Sequence, residues 1–135
     1  MSVRTVDAQS TILIVDDFPT MRQIIRNFLR ELGYRNIEEA TDGAAALKKV
    51  ESSDIDLVIT DWKMPVMEGL QLLQSIRADQ HHADLPVIMI AAEARQDQIS
   101  AAAKHGVSGY IVKPFTADTL AKKIGSIVRA LASTS

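Results

Sequence analysis

Cysteine is absent from this chain, which excludes structural disulfides, thiolate metal sites and cysteine nucleophiles together and fits a reducing cytoplasm. Charge of one sign is lacking too. Fifteen Lys and Arg against 17 Asp and Glu leave a net charge of −2, so no global field draws the protein onto nucleic acid. Long apolar runs are also missing. The longest, Val87 to Ala92, falls far short of the roughly 20 residues that cross a bilayer, so no membrane insertion is expected. The opening MSVRTVDAQS has no continuous apolar stretch of the secretory kind, and residues 1–10 read as a flexible leader. No fixed-period repeat and no Gly/Ser/Pro-rich linker divides the remainder.

What is present is one domain's worth of core. The 135 residues, 47% of them hydrophobic, assign 11–135 to a single folded unit, with no appended effector expected. Apolar runs at Ile12–Val15, Leu57–Ile59, Val87–Ile90 and Tyr110–Val112 are continuous rather than alternating, the pattern of strands covered on both faces of a parallel sheet. Asn36–Ala40 carries two acids and belongs at an edge. Between these runs, Met21, Ile24, Ile25, Phe28, Leu29 and Leu32 recur at helical spacing, as do Leu120, Ile124, Ile127, Val128 and Leu131. Pro19 suits a first helical turn, Asp42-Gly43 and Glu68-Gly69 open helices, and Gly33 and Gly106 stop them. Alternating strand and helix with right-handed crossovers predicts an α/β doubly wound, five-stranded parallel sheet in an α/β/α sandwich. The helix expected over Arg95–His105 is held chiefly by Ile99, Ala102, Ala103 and Val107, an alanine-rich face that anchors weakly.

Three of the apolar runs stop at charges: Asp16-Asp17 after ILIV, Asp61 after LVIT, and Lys113 after YIV. Strand ends on one side of a parallel sheet share a rim, so these residues can converge. Three carboxylates within about 5 Å repel by roughly 3 kcal/mol per pair at an effective dielectric near 20. A divalent cation offsets this most simply, and Mg²⁺ fits an all-oxygen site; protonation of one acid is the alternative. Asp61, at the exit of the central strand, is the best nucleophile candidate, because a carboxylate can form an acyl phosphate. Lys113 and the metal would then neutralise the phosphoryl oxygens in a loose transition state that needs no strong general base.

The segments ILIVDDFPTMR, EEATDG, DWKMPVMEG, LPVIMIAAEA and GYIVKPFT together resemble the bacterial response-regulator receiver domain over nearly all of the chain from Thr11 onward. The resemblance implies the flavodoxin-like strand order 2-1-3-4-5. It implies Asp61 as phosphoacceptor, Asp16, Asp17 and Asp61 with the Lys63 backbone carbonyl as Mg²⁺ ligands, Lys113 as the phosphoryl charge partner, and a cis Lys113-Pro114 bond. Tyr110 matches the aromatic switch residue. The implied partners are a sensor histidine kinase or its phosphotransfer domain, a flagellar motor switch protein in chemotaxis, and a phosphatase; the output face includes Lys104, Tyr110 and Lys123. The protein is expected to be a cytoplasmic monomer and no enzyme beyond its own phosphorylation and dephosphorylation.

Two departures from the family pattern stand out. Ala91 occupies a position that usually carries Thr or Ser, whose hydroxyl bonds a phosphoryl oxygen, and this predicts a weaker switch. Lys63 stands where a smaller polar residue is common, and with Glu93 on the same rim it could pair over the site and hinder attacking water. Arg22, Arg26 and Arg30 repeat every four residues, as a solvated face or as a surface for an acidic phosphodonor. Asp79, His81, His82 and Asp84 lack the spacing of a zinc site. Two alternative functions remain: a phosphate sink or relay without a motor target, and an Mg²⁺-dependent aspartyl-nucleophile phosphatase. The latter normally needs a second acid two residues beyond the nucleophile, where this chain has Lys63.

Overall fold

The structure, a computed structural model, describes residues 4–133. Five strands and five helices alternate: β1 (Thr11–Val15), α1 (Pro19–Glu31), β2 (Asn36–Ala40), α2 (Gly43–Ser52), β3 (Leu57–Asp61), α3 (Gly69–Ala78), β4 (Val87–Ala91), α4 (Gln96–Lys104), β5 (Gly109–Val112) and α5 (Ala117–Ser133). The sheet is wholly parallel in the order β2-β1-β3-β4-β5. Period-2 alternation along the strands divides the core. Leu13, Val15, Val58, Val87 and Met89 pack with Ala46 and Val50 of α2 and with Leu72, Leu73 and Ile76 of α3. Ile12, Ile14, Leu57, Ile59, Ile88 and Ile90 pack on the other face with Ile25 and Leu29 of α1 and with Leu120, Ile124 and Ile127 of α5.

The local signals act as expected. Pro19 is at the start of α1, where its missing N–H is no loss. The Asp42 side chain accepts a hydrogen bond from Ala45 N at the head of α2, and Glu68 and Gln71 form a capping box on α3. Gly33 and Gly106 adopt φ of 98° and 82° just past their helices. β3 runs two residues beyond the apolar stretch, so Thr60 and Asp61 lie inside the strand and Asp61 is its last member.

Three expectations are corrected. Residues 4–10 are not a loose leader: Val6 is 6% exposed in the core beside α1 and α5, and Arg4 pairs with Asp84 at 2.6 Å and donates to the His81 carbonyl at 2.8 Å. Residues 1–3 lie outside the described residues. Arg22 and Arg26 form neither a free face nor a merely solvated one. Arg22 bonds Glu39 of β2 at 2.8 Å, Arg26 also pairs with Glu39, and Arg22 donates to the Asp16 carbonyl at 2.7 Å. In α4, Ala102 alone is fully buried, Ile99 is half-buried and Ala103 is exposed. Each buried CH₂ contributes about 0.8 kcal/mol, so this face holds α4 less firmly than the Leu and Ile faces hold α3 and α5.

Candidate metal and phosphoryl centre

Sheet register brings the acids together. Val15 lies opposite both Ala40 and Thr60, which sets Asp16 beside Asp61 at the carboxyl ends of β1 and β3. On the other side Asp61 lies opposite Ile90 and Ala91 opposite Val112, so Lys113 follows one step beyond the rim. The peptide bond from Lys113 to Pro114 is cis. Carboxylate oxygens of Asp16, Asp17 and Asp61 lie within 4.8 Å of one another, and Lys113 Nζ is 3.2 Å from Asp61 Oδ1. The backbone behind Asp61 is tightly held. Gly69 N donates to the Trp62 carbonyl at 2.9 Å, and a Cβ at Gly69 would strike the Asp61 carbonyl and sit 2.8 Å from Met89 Sδ.

Electrostatics at the centre are unbalanced. Burial pushes the Asp61 carboxyl above its ordinary pKa despite the opposing pull of Lys113. Burial likewise raises Asp16, reinforced by Asp61, while a hydrogen bond from Phe18 N at 2.9 Å opposes the rise. Asp17 Oδ1 is buried and has no hydrogen-bond partner. An orphaned carboxylate oxygen beside two others whose charged forms are disfavoured is the condition a hard cation relieves, and the oxygen-only donor set suits Mg²⁺. The residues present therefore fit that ion.

A cleft of about 630 Å³ opens over the acids, lined among others by Asp17, Asp61, Lys63, Glu93, Arg95 and Lys113. Lys63 and Glu93 both reach this rim, but among the described residues no ion pair joins them. Ala91 ends β4, 1% exposed, and offers only a methyl group. Tyr110 is half-buried, its ring edge-on to Trp62 at 6.5 Å and its hydroxyl 3.5 Å from the Glu93 carbonyl and Gln98 Oε1, the long limit of a hydrogen bond. Arg95 and Trp62 in the cleft escaped the sequence reading. A signal for Arg95 was available: it comes four residues after Ala91, the end of an apolar run, and opens the helical pattern that follows.

Comparison with known proteins agrees with the geometry. Residues 12–125 match the family model of the response regulator receiver domain. The chain is 56% identical over 120 residues to chemotaxis protein CheY-3 of Vibrio cholerae, covering 89% of this chain and 92% of that one. The solved chemotaxis response regulator CheY4 of Vibrio cholerae superimposes with a TM-score of 0.81 at 31% identity over 88% of this chain and 98% of that one. The receiver domain of sensor histidine kinase PA1611 from Pseudomonas aeruginosa, solved with a magnesium ion coordinated in its active-site cleft, gives 0.81 at 30% identity, covering 90% and 99%. The chain belongs to the response regulator receiver domain family, with chemotaxis proteins among its relatives. Among the described residues no helix is long and apolar enough to cross a membrane.

Proposed function

We propose that the protein is a phosphorylation switch in which Asp61 accepts a phosphoryl group from the phosphohistidine of a sensor histidine kinase or its phosphotransfer domain. The observation that carries this reading is the Asp16–Asp17–Asp61 triad within 4.8 Å, with Lys113 Nζ 3.2 Å from Asp61. A carboxylate oxygen of Asp61 forms the new P–O bond as the donor's P–N bond breaks, and the departing imidazole nitrogen keeps the electron pair and takes up a proton. Lys113, already beside Asp61, holds positive charge against the transferred oxygens. Mg²⁺ would be held by Asp16, Asp17, Asp61 and the Lys63 carbonyl, and supplies further charge to the phosphoryl oxygens when bound. An aspartyl-nucleophile phosphatase is the poorer reading, because Lys63 stands where such an enzyme would place its general acid, and the chemistry we assign is self-phosphorylation and its reversal by water.

The output is phosphorylation-dependent binding to a protein target, with a flagellar motor switch protein as the partner the chemotaxis relatives favour. The face around Lys104, Tyr110 and Lys123 is the surface we assign to it. Intact mass after incubation with acetyl phosphate and Mg²⁺ tests the acceptor: one phosphate adduct is expected, and none on Asp61→Asn. An adduct of equal extent on Asp61→Asn would refute the assignment. Ala91 removes one donor to a charged acceptor, worth about 1.5–3 kcal/mol, so Ala91→Thr is expected to raise the target affinity of the phosphorylated protein about tenfold. Equal titrations of the two phosphorylated proteins against a motor-switch peptide would sink that claim. Titrations that show no phosphorylation-dependent binding in either protein would favour a phosphate sink instead.

A further inference from the structure

Arg95 stands at the junction between the phosphoryl cleft and the weakly anchored helix. It is the N-cap residue of α4, its side chain makes no capping bond, and it lines the cleft together with Asp61 and Lys113. Among the described residues its guanidinium is held by Asp97, with Nε 3.2 Å from Oδ1 and Nη2 2.9 Å from Oδ2, and both side chains are more than half exposed. Such an exposed pair contributes little and is readily exchanged for a stronger one. Asp97 does not depend on it, since an acid in the first turn is already favoured by the helix dipole.

The two ends of α4 are fastened differently. Arg77, half-buried on α3, donates to the Gly106 carbonyl from Nε at 3.0 Å and Nη2 at 2.9 Å, and to the Leu85 carbonyl from Nη1 at 2.6 Å. Gln74 adds a contact to His105 at 3.2 Å. A Cβ on Gly106 would lie 3.2 Å from Arg77 Nε, so the guanidinium packs closely against this seat. By contrast, residues 92–97 are all exposed. A force applied at the cleft therefore swings the head of α4 about a fixed tail.

We infer that Arg95 is a phosphoryl-contacting positioning residue: on phosphorylation of Asp61 its guanidinium leaves Asp97 for the phosphoryl oxygens and draws the first turn of α4 toward the strand ends, in place of the hydroxyl that Ala91 lacks. This rests on Asp61 being the phosphoacceptor. A phosphoryl group with about two negative charges and three acceptor oxygens matches the planar fork of arginine, which can bond two of those oxygens at once. The β4–α4 loop also holds the Glu93 carbonyl near the Tyr110 hydroxyl and α4 holds Gln98 there, so the same movement reaches the aromatic residue on β5.

The test is amide hydrogen exchange over residues 93–99, with and without acetyl phosphate and Mg²⁺, alongside intact mass. In the unaltered protein exchange there slows about tenfold on phosphorylation, the scale of one bond to a charged group. Compared at equal adduct, reached by raising acetyl phosphate where a variant needs it, Arg95→Ala loses the slowing, Arg95→Lys keeps part of it, and Asp97→Asn, which frees Arg95, keeps all of it. Equal slowing in Arg95→Ala at equal adduct overturns the inference and leaves Asp61 as acceptor. A full adduct with no slowing in the unaltered protein does the same. Failure of the unaltered protein to form an adduct overturns the acceptor and Arg95 together.

Discussion

Two acidic settings lie on neighbouring strands of one sheet and are treated in opposite ways. Glu39 on β2, opposite Ile14 of β1, meets two arginines from α1; burial pulls its pKa upward, but hydrogen bonds from Arg26 and then Arg22 outweigh that and hold it below the usual carboxylate range. Asp16 and Asp61, at the ends of β1 and β3, meet each other, Asp17 and a single lysine, and burial leaves both with raised pKa values. The first arrangement is neutralised within the fold. The second is left short of positive charge, which makes it responsive to an added cation or to esterification of one member. A charge that the fold satisfies is structural; one that it leaves unsatisfied is available for chemistry.

Removing Lys113, the cation that pairs directly with the triad among the described residues, should have the largest effect. Lys113 is 24% exposed at its side chain and Asp61 7%, so Lys113→Met leaves a buried carboxylate without its partner. Discounted for the partial exposure, the expected loss is about 2–3 kcal/mol in urea unfolding at pH 7 without metal. The double variant Lys113→Met/Asp61→Asn should recover most of it, because the orphaned charge is then gone. Equal stability of the single variant and the unaltered protein would show that the triad is better compensated than its geometry indicates.

Neutralising an acid should move stability the other way. Asp16→Asn keeps an oxygen for the Phe18 N–H and removes one repulsive charge, so the metal-free protein should become more stable by about 1–2 kcal/mol at pH 7. The pH dependence has a definite sign. Folded Asp16 and Asp61 hold protons above the pKa of the unfolded chain, so their contribution to stability rises as pH falls through the raised folded values and is lost as pH climbs through them. Asp16→Asn should flatten that slope. Mg²⁺, which reverses the charge deficit, should stabilise the unaltered protein more than the variant. A thermal shift with Mg²⁺ of the same size in both would contradict the assignment of Asp16 as a ligand.

The contrast was half visible in the sequence. The triad could be read because its elements are local: a continuous apolar run marks a buried parallel strand, a charge marks its end, and shared strand polarity carries the ends to one rim. Cap signals at Asp42 and Glu68 and the stops at Gly33 and Gly106 were legible for the same reason. The Glu39 clamp was not, because arginines at helical spacing read alike whether they face water or reach over a sheet edge. Residues 4–10 were misread because Val6, with only Ala8 for apolar company in a polar segment, gives no period, and its burial depends on space between α1, α5 and the sheet. Arg95 was missed because membership of the cleft follows from loop path rather than from residue spacing.

The smallest effect is expected at the satisfied acid. Glu39→Gln keeps one oxygen to accept from Arg22 or Arg26, turns the other into an NH2 that cannot accept, and loses the charge; the site is only partly shielded, so the cost should be about 1 kcal/mol at pH 7. Because the folded pKa of Glu39 lies below that of the unfolded chain, its contribution is present above the unfolded value and lost as pH falls through the folded one, the reverse of Asp16 and Asp61. The variant should therefore differ from the unaltered protein near neutrality and converge with it in acid. Added salt should narrow the difference at pH 7, since a partly exposed pair is screened in part. Glu39→Gln should leave the Asp61 phosphate adduct intact, because α1 keeps its core seat through Ile25 and Leu29. A loss of adduct comparable with that of Asp61→Asn would mean that the arginine clamp, through the bond from Arg22 to the Asp16 carbonyl, also sets the position of the metal ligand, and the division between the two acidic settings would fail.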